Sequence, residues 1–91
     1  MGRKRIAKMV EIDEYEMTKH AYDQMIARDI FIRQVKDAII NGRIAKKWQE
    51  NNCDKFAIIG KRFNGDYIKV VVKDSEIPKV ITVCYPYEKF Y

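Results

Sequence analysis

The sequence predicts an α+β domain in which two N-terminal helices pack on a four-stranded antiparallel meander sheet. Three observations predict this fold. Apolar residues recur at helical spacing over residues 13–41, apolar and β-branched residues follow strand patterns over residues 43–85, and only short links separate the segments. A chain of 91 residues, 47% of them hydrophobic and 34% charged, has room for one such core.

The chain begins with a basic segment that has little apolar periodicity. Its charged residues are Arg3, Lys4, Arg5 and Lys8. We expect a disordered arm over residues 1–10, with phosphate contact as the alternative, followed by a single domain over residues 11–91. No apolar core of a secretory signal follows the arm, and no run approaches the roughly 20 apolar residues of a membrane span. The expected location is therefore cytoplasmic, with no membrane partner.

Two helices are predicted from a three-to-four-residue apolar rhythm. The first runs from about Asp13 to Arg28, with Thr18 as an alternative cap for a later start. The second runs from Ile32 to Asn41, where Asn41-Gly42 is typical of a helix end. Because short helices are unstable alone, both must pack on the sheet.

The rest of the chain is predicted to form the four strands. They cover residues 43–49, 55–63, 66–73 and 79–85. Asn64-Gly65 predicts a tight hairpin, since both residues tolerate positive φ. With the helices on one sheet face, the other face is expected to be an open, partly polar binding surface. The predicted core consists of Met17, Ala21, Met25, Val35, Ile39, Ile58, Val70 and Val72.

The net charge and the motifs of the sequence favour some classes of function and disfavour others. The net charge of +5 favours RNA, DNA or an acidic protein as partner, although a positive charge can also serve solubility alone. With two cysteines and one histidine, the chain lacks the ligand cluster of a zinc site, so we expect no metal. No P-loop, dinucleotide-binding turn or nucleophile elbow occurs, and we expect no cofactor.

Several short motifs follow one another in a set order between residues 17 and 86. They are Thr18-Lys19-His20-Ala21, Met25, Arg28, Ile30, Val35, Ala38-Ile39, Asn41-Gly42-Arg43, Val70-Val71-Val72 and Thr82-Val83. This order resembles the domain-of-unknown-function 4258 family, whose layout is similar to BrnT and RelE-type toxins and to the barnase-like ribonucleases. The resemblance implies a RelE/BrnT-like fold, metal-independent cleavage of RNA, and an antitoxin protein as a further partner.

The chain departs from that family pattern at four positions. Gln24 stands where the family often has a second arginine, and Asp29 where it usually has glycine. Phe31 replaces the serine that commonly caps the second helix, and Cys84 replaces a tyrosine. The polar stripe of the first predicted helix therefore has one cation fewer, and the last strand has no tyrosine hydroxyl at residue 84.

The residues proposed for catalysis are His20, Arg28 and Lys69. Metal-free RNA cleavage needs a base for the 2′-hydroxyl and cations for the charged transition state. His20 is the only histidine, the residue type that most often serves as a general acid or base, while Gln24 and Arg28 continue its stripe at steps of four. Lys69 supplies a cation from the sheet. The alternatives are a structural histidine and a solvated surface lysine.

The residues proposed for RNA binding are Lys61, Arg62, Lys73 and Tyr85. The cations would contact phosphates, and Tyr85, in an aromatic-rich C-terminus, would stack on an unpaired base. The alternative is a tail that folds back over the sheet edge or the core. The sequence thus predicts a toxin-like endoribonuclease, with a non-catalytic RNA- or protein-binding module as the alternative.

Overall fold

The computed structural model describes residues 2–62 and 65–88, which form an α+β fold as predicted. The elements are α1 (Arg3–Glu11), β1 (Glu16–Met17), α2 (Lys19–Arg28), α3 (Ile32–Asn41), β2 (Arg43–Glu50), β3 (Cys53–Lys61), β4 (Tyr67–Asp74) and β5 (Lys79–Cys84). The sheet order is β1-β5-β4-β3-β2, with β1 parallel to β5 and the other pairs antiparallel. The described chain therefore has a helix and a strand more than predicted, and its sheet is mixed.

The segment expected to be a disordered arm forms α1. Ile6 and Val10, one helical turn apart, are fully buried, and α1 packs against α3. Arg3 donates to the backbone carbonyls of Ile40, at 3.0 Å, and Gly42, where α3 ends. The last carbonyls of a helix have no partner within the helix, so the basic side chain of Arg3 has a structural use that the charge pattern did not indicate.

The predicted first helix starts six residues later than the position the apolar rhythm favours, at Lys19 instead of Asp13. Asp13 has φ of 63°, outside the right-handed helical region. Glu16 and Thr18 donate backbone N–H groups to Pro78 and Val80, which creates β1. The Thr18 hydroxyl then accepts from the backbone N–H of Ala21 at 3.1 Å, so the alternative cap is the one that forms.

Two connections within the antiparallel part of the sheet use positive φ angles. Asn51 and Asn52, with φ of 53° and 64°, join β2 to β3 as a two-residue hairpin turn. Gly65, with φ of 91°, lies between β3 and β4. The predicted Asn64-Gly65 hairpin includes Asn64, and the predicted second strand includes Phe63; both residues lie outside the described ones.

The helices cover one face of the sheet with an aliphatic core. Its fully or almost fully buried members from the sheet are Phe56, Ile58, Ile68, Val70, Val72, Val80 and Val83. Gly60 lets α3 approach closely, because a Cβ there would lie 2.4 Å from the Cβ of Ala38. The predicted core is confirmed except at Met17, which is only half-buried because it lies in the edge strand β1.

The opposite sheet face is not the open polar surface that was expected. Val71 and Thr82 are fully buried there, and Lys69 is only 7% exposed. At one end of this face, the backbone carbonyl of Glu88 accepts a hydrogen bond from Lys69. None of the helices in the described ranges has the length and apolar character that a membrane crossing requires, since the longest have 10 residues.

Candidate functional site

Helix α2 lies beside the edge of β5 that β1 leaves unpaired. The Gln24 side chain is buried and its Oε1 accepts the backbone N–H of Val83 at 2.9 Å. That bond satisfies a strand donor that would otherwise be unpaired at the sheet edge. Gln24 thus positions α2, and Arg28 lies one helical turn further along the same helix.

A tight turn follows β5 and brings an acidic side chain back to α2. Pro86 occupies the second position of this turn, where its constrained φ is favourable. The backbone N–H of Glu88 donates to the Tyr85 carbonyl at 3.0 Å. The Glu88 carboxylate in turn accepts the backbone N–H of Tyr85 at 2.7 Å. These reciprocal bonds hold the carboxylate against the last turn of α2.

Arg28 and Lys69 both contact Glu88. Arg28 Nε donates to Glu88 Oε2 at 2.9 Å, and its Nη2 donates to Oε1, which makes a bidentate ion pair. The two side chains are 20% and 16% exposed. Lys69 Nζ donates to the backbone carbonyl of Glu88 at 2.8 Å. Two residues proposed for catalysis therefore meet at one turn.

Arg62 and Tyr85 extend this arrangement. Arg62 donates to the Tyr85 hydroxyl at 2.9 Å and to the Asp29 carbonyl at 3.0 Å. The Tyr85 hydroxyl donates to the Arg28 carbonyl at 3.1 Å. The Nε of Arg62 is buried with no hydrogen-bond partner in the part of the chain that the structure describes. We refer to Arg28, Arg62, Lys69, Tyr85 and Glu88 as the Glu88 cluster.

The charges of the cluster shift the titration of its members. The pKa of Glu88 is lowered to about 2, chiefly by the hydrogen bonds from Arg28. Burial opposes this change, whereas the backbone N–H of Tyr85 and the charge of Lys69 lower the pKa further. The hydrogen bond with Glu88 raises the pKa of Arg28. Burial raises the pKa of the Cys84 thiol, which Lys69 partly offsets. The cluster thus combines the basic side chains of Arg28, Arg62 and Lys69 with one carboxylate, a set suited to binding an anion.

The other predicted site residues lie elsewhere. His20 is exposed in the first turn of α2, eight residues before Arg28, which is about 12 Å along a helix. Lys61 is exposed at the end of β3, and Lys73 lies about 13 Å along β4 from Lys69. The structure therefore brings together Arg28, Arg62, Lys69 and Tyr85, and leaves His20, Lys61 and Lys73 outside the cluster.

Sequence reasoning did not identify Glu88. A signal was present, since Pro86 after the last strand is typical of a turn that reverses the chain. That pattern does not indicate which earlier element the reversed segment meets. In residues 2–62 and 65–88, the structure contains no group of three or more histidine, cysteine or acidic side chains that could hold a metal ion.

The fold and the cluster define a small α+β domain with a basic site where α2, the end of the sheet and the turn after β5 meet. The sequence profile of a family described as domain of unknown function DUF4258 matches residues 17–85. The chain belongs to this family. The matched range contains Arg28, Arg62, Lys69 and Tyr85 and ends before Glu88. No match was found among curated proteins or among solved structures.

Proposed function

We propose that this domain is a toxin-like, metal-independent endoribonuclease and that the Glu88 cluster binds the scissile phosphate of RNA. One observation carries the proposal: the side chains of Arg28 and Lys69 converge on Glu88, and Arg62 joins them through Tyr85. The arginine fork that holds a carboxylate also fits two phosphate oxygens. The sequence resemblance to a family similar in layout to BrnT and RelE-type toxins supports the same function.

The cluster contains the groups that metal-free cleavage needs. Glu88 takes the proton of the 2′-hydroxyl, whose oxygen bonds to phosphorus as the 5′-oxygen leaves, which forms a 2′,3′-cyclic phosphate. Arg28 and Lys69 stabilise the added negative charge on the phosphate oxygens. The Tyr85 hydroxyl supplies the proton to the 5′-oxygen, and Arg62 stabilises the resulting phenolate.

Binding of the phosphate is also expected to make Glu88 a stronger general base. The Arg28 hydrogen bond is the main cause of the low pKa of Glu88. A phosphate that takes this hydrogen bond removes that cause, so the pKa of Glu88 rises and the carboxylate becomes a stronger base. His20 remains the base that the sequence alone predicts, and the two residues are separable by substitution.

The test is cleavage of a labelled single-stranded RNA by the purified chain in excess chelator. We expect Glu88→Gln to lower the cleavage rate by about 10²–10⁴-fold, the usual effect of losing a general base. RNA binding by this variant is expected to be retained or stronger, because an internal anion no longer occupies Arg28. Arg28→Lys should weaken binding. Lys47→Ala, at an exposed cation on β2 far along the sheet order from the cluster, is the control with unchanged binding and cleavage.

Two outcomes would contradict parts of this proposal. If His20→Ala abolishes cleavage and Glu88→Gln does not, the base is His20 and the mechanism given for Glu88 is wrong. If the wild-type chain binds RNA and leaves it intact, the domain is not an endoribonuclease under these conditions.

The second outcome would favour a non-catalytic binding module, and one observation supports that candidate. Ile26, Phe31 and Ile32 are exposed and line an apolar groove of about 340 Å³ between α2 and α3. Exposed apolar side chains that lie side by side are typical of protein-docking surfaces. An antitoxin protein is the partner proposed for this groove, whether or not the domain is an enzyme.

A further inference from the structure

A pocket of about 410 Å³ lies next to the Glu88 cluster. It is lined by Gly65, Asp66, Tyr67, Tyr85, Pro86 and Tyr87. We infer that it binds an unpaired nucleobase of the RNA whose phosphate is held by the cluster, so that the substrate is single-stranded. This inference rests on the proposed function and adds a base site to its phosphate site.

The pocket has the aromatic lining that a base requires. The rings of Tyr85 and Tyr87 stack with centroids 5.6 Å apart and an angle of 4° between their planes. Tyr87 is nonetheless 78% exposed and Tyr67 is 52% exposed, so both rings offer surface to a ligand. Every nucleobase has a flat π surface that stacks on such rings, whatever its hydrogen-bonding groups. The volume lies in the usual range for small-ligand sites, about 300–1,000 Å³.

Tyr85 joins the pocket to the phosphate site. Its ring lines the pocket, while its hydroxyl accepts from Arg62 in the cluster. The Arg62 guanidinium lies 5.9 Å from the centre of the same ring. A base stacked in the pocket would therefore have cations close by for the phosphate of the same or the next nucleotide.

Charge separates the base pocket from the phosphate site. Asp66, an acidic residue, is among the residues that line the pocket, whereas Arg28, Arg62 and Lys69 belong to the cluster. A negative charge beside the pocket repels phosphate, so the pocket favours the uncharged base over the phosphate. The two sites thus favour the two chemically different parts of one nucleotide, which is the argument for RNA rather than an acidic peptide.

The test compares two single-stranded RNAs of equal length, one normal and one abasic, by fluorescence anisotropy over a salt series. Tyr87→Ala is expected to weaken binding of the normal RNA by roughly 5- to 150-fold, the range for losing one base stack. It should leave binding of abasic RNA and the salt dependence unchanged, since no phosphate contact is lost. Arg28→Lys should weaken both RNAs. Tyr22→Ala, an exposed tyrosine on α2 outside this pocket, is the matched control.

The outcomes distinguish this inference from the proposed function. If Tyr87→Ala leaves binding of normal RNA unchanged while Arg28→Lys weakens both RNAs, the phosphate site stands and the base pocket is wrong. Equal weakening of normal and abasic RNA by Tyr87→Ala also overturns the base pocket. If the wild-type chain binds neither RNA, the proposed function fails and this inference fails with it.

Discussion

The two ends of α2 differ in how they are held, although the sequence placed residues from both in one site. At the first turn, the backbone is held by the Thr18 side-chain cap and by the hydrogen bond from the Thr18 N–H to the Val80 carbonyl. The His20 side chain in this turn is exposed. At the last turn, Arg28 is held by a carboxylate from 60 residues further along the chain. A shared helical stripe therefore does not make a shared site, because the site also needs the turn after β5.

The largest expected effect is the difference in stability loss between a substitution at the last turn of α2 and one at its first turn. Arg28→Ala should lower the free energy of unfolding by about 1–3 kcal/mol, because it leaves a partly buried Glu88 carboxylate without its main partner. His20→Ala should change it by less than about 0.5 kcal/mol, as is usual for an exposed residue. Urea unfolding measures both. Equal losses for the two variants would show that the ends do not differ in this way.

The next effect is the pH dependence of the stability that the Arg28–Glu88 ion pair contributes. The pKa of Glu88 is about 2 in the folded chain, below its ordinary 4.5, so its contribution to stability is complete above about pH 5. That contribution is lost as the pH falls towards 2. The difference in stability between the wild type and Glu88→Gln should therefore shrink over this window. A difference that stays constant would mean that Arg28 does not depress the pKa of Glu88.

The smallest of these effects is the stability loss on removing the Thr18 cap at the first turn of α2. Thr18→Ala removes the side-chain oxygen that accepts the Ala21 N–H, and it should cost about 1 kcal/mol. Thr18→Ser keeps the acceptor and should cost much less. Thermal unfolding of the two variants measures the difference. If Ser and Ala at this position are equally unstable, the cap does not hold this end of α2.

Much of the fold could be predicted because its determinants are local. Val35, Ala38 and Ile39 define α3 by their spacing within a few residues, and its predicted bounds are confirmed. The β-branched run at residues 70–72 likewise indicated β4. Four positions of the proposed site, Arg28, Arg62, Lys69 and Tyr85, could also be picked out as cations or aromatics, but their grouping around Glu88 could not.

By itself, the sequence determined the α+β class, the bounds of α3, the four antiparallel strands and the membership in the family. Tertiary structure alone decided that the basic segment becomes α1, that residues 16–17 pair with β5, and that Glu88 joins α2 to the sheet. These three features depend on contacts between distant residues, such as Arg3 with Ile39, 36 positions apart, and Arg28 with Glu88. Helical and strand periodicity extend over only a few residues, so no local pattern indicates such contacts. These long-range contacts are stabilised in the folded chain by the burial of Ile6 and Val10 and by ion pairs between charges that the sheet brings together.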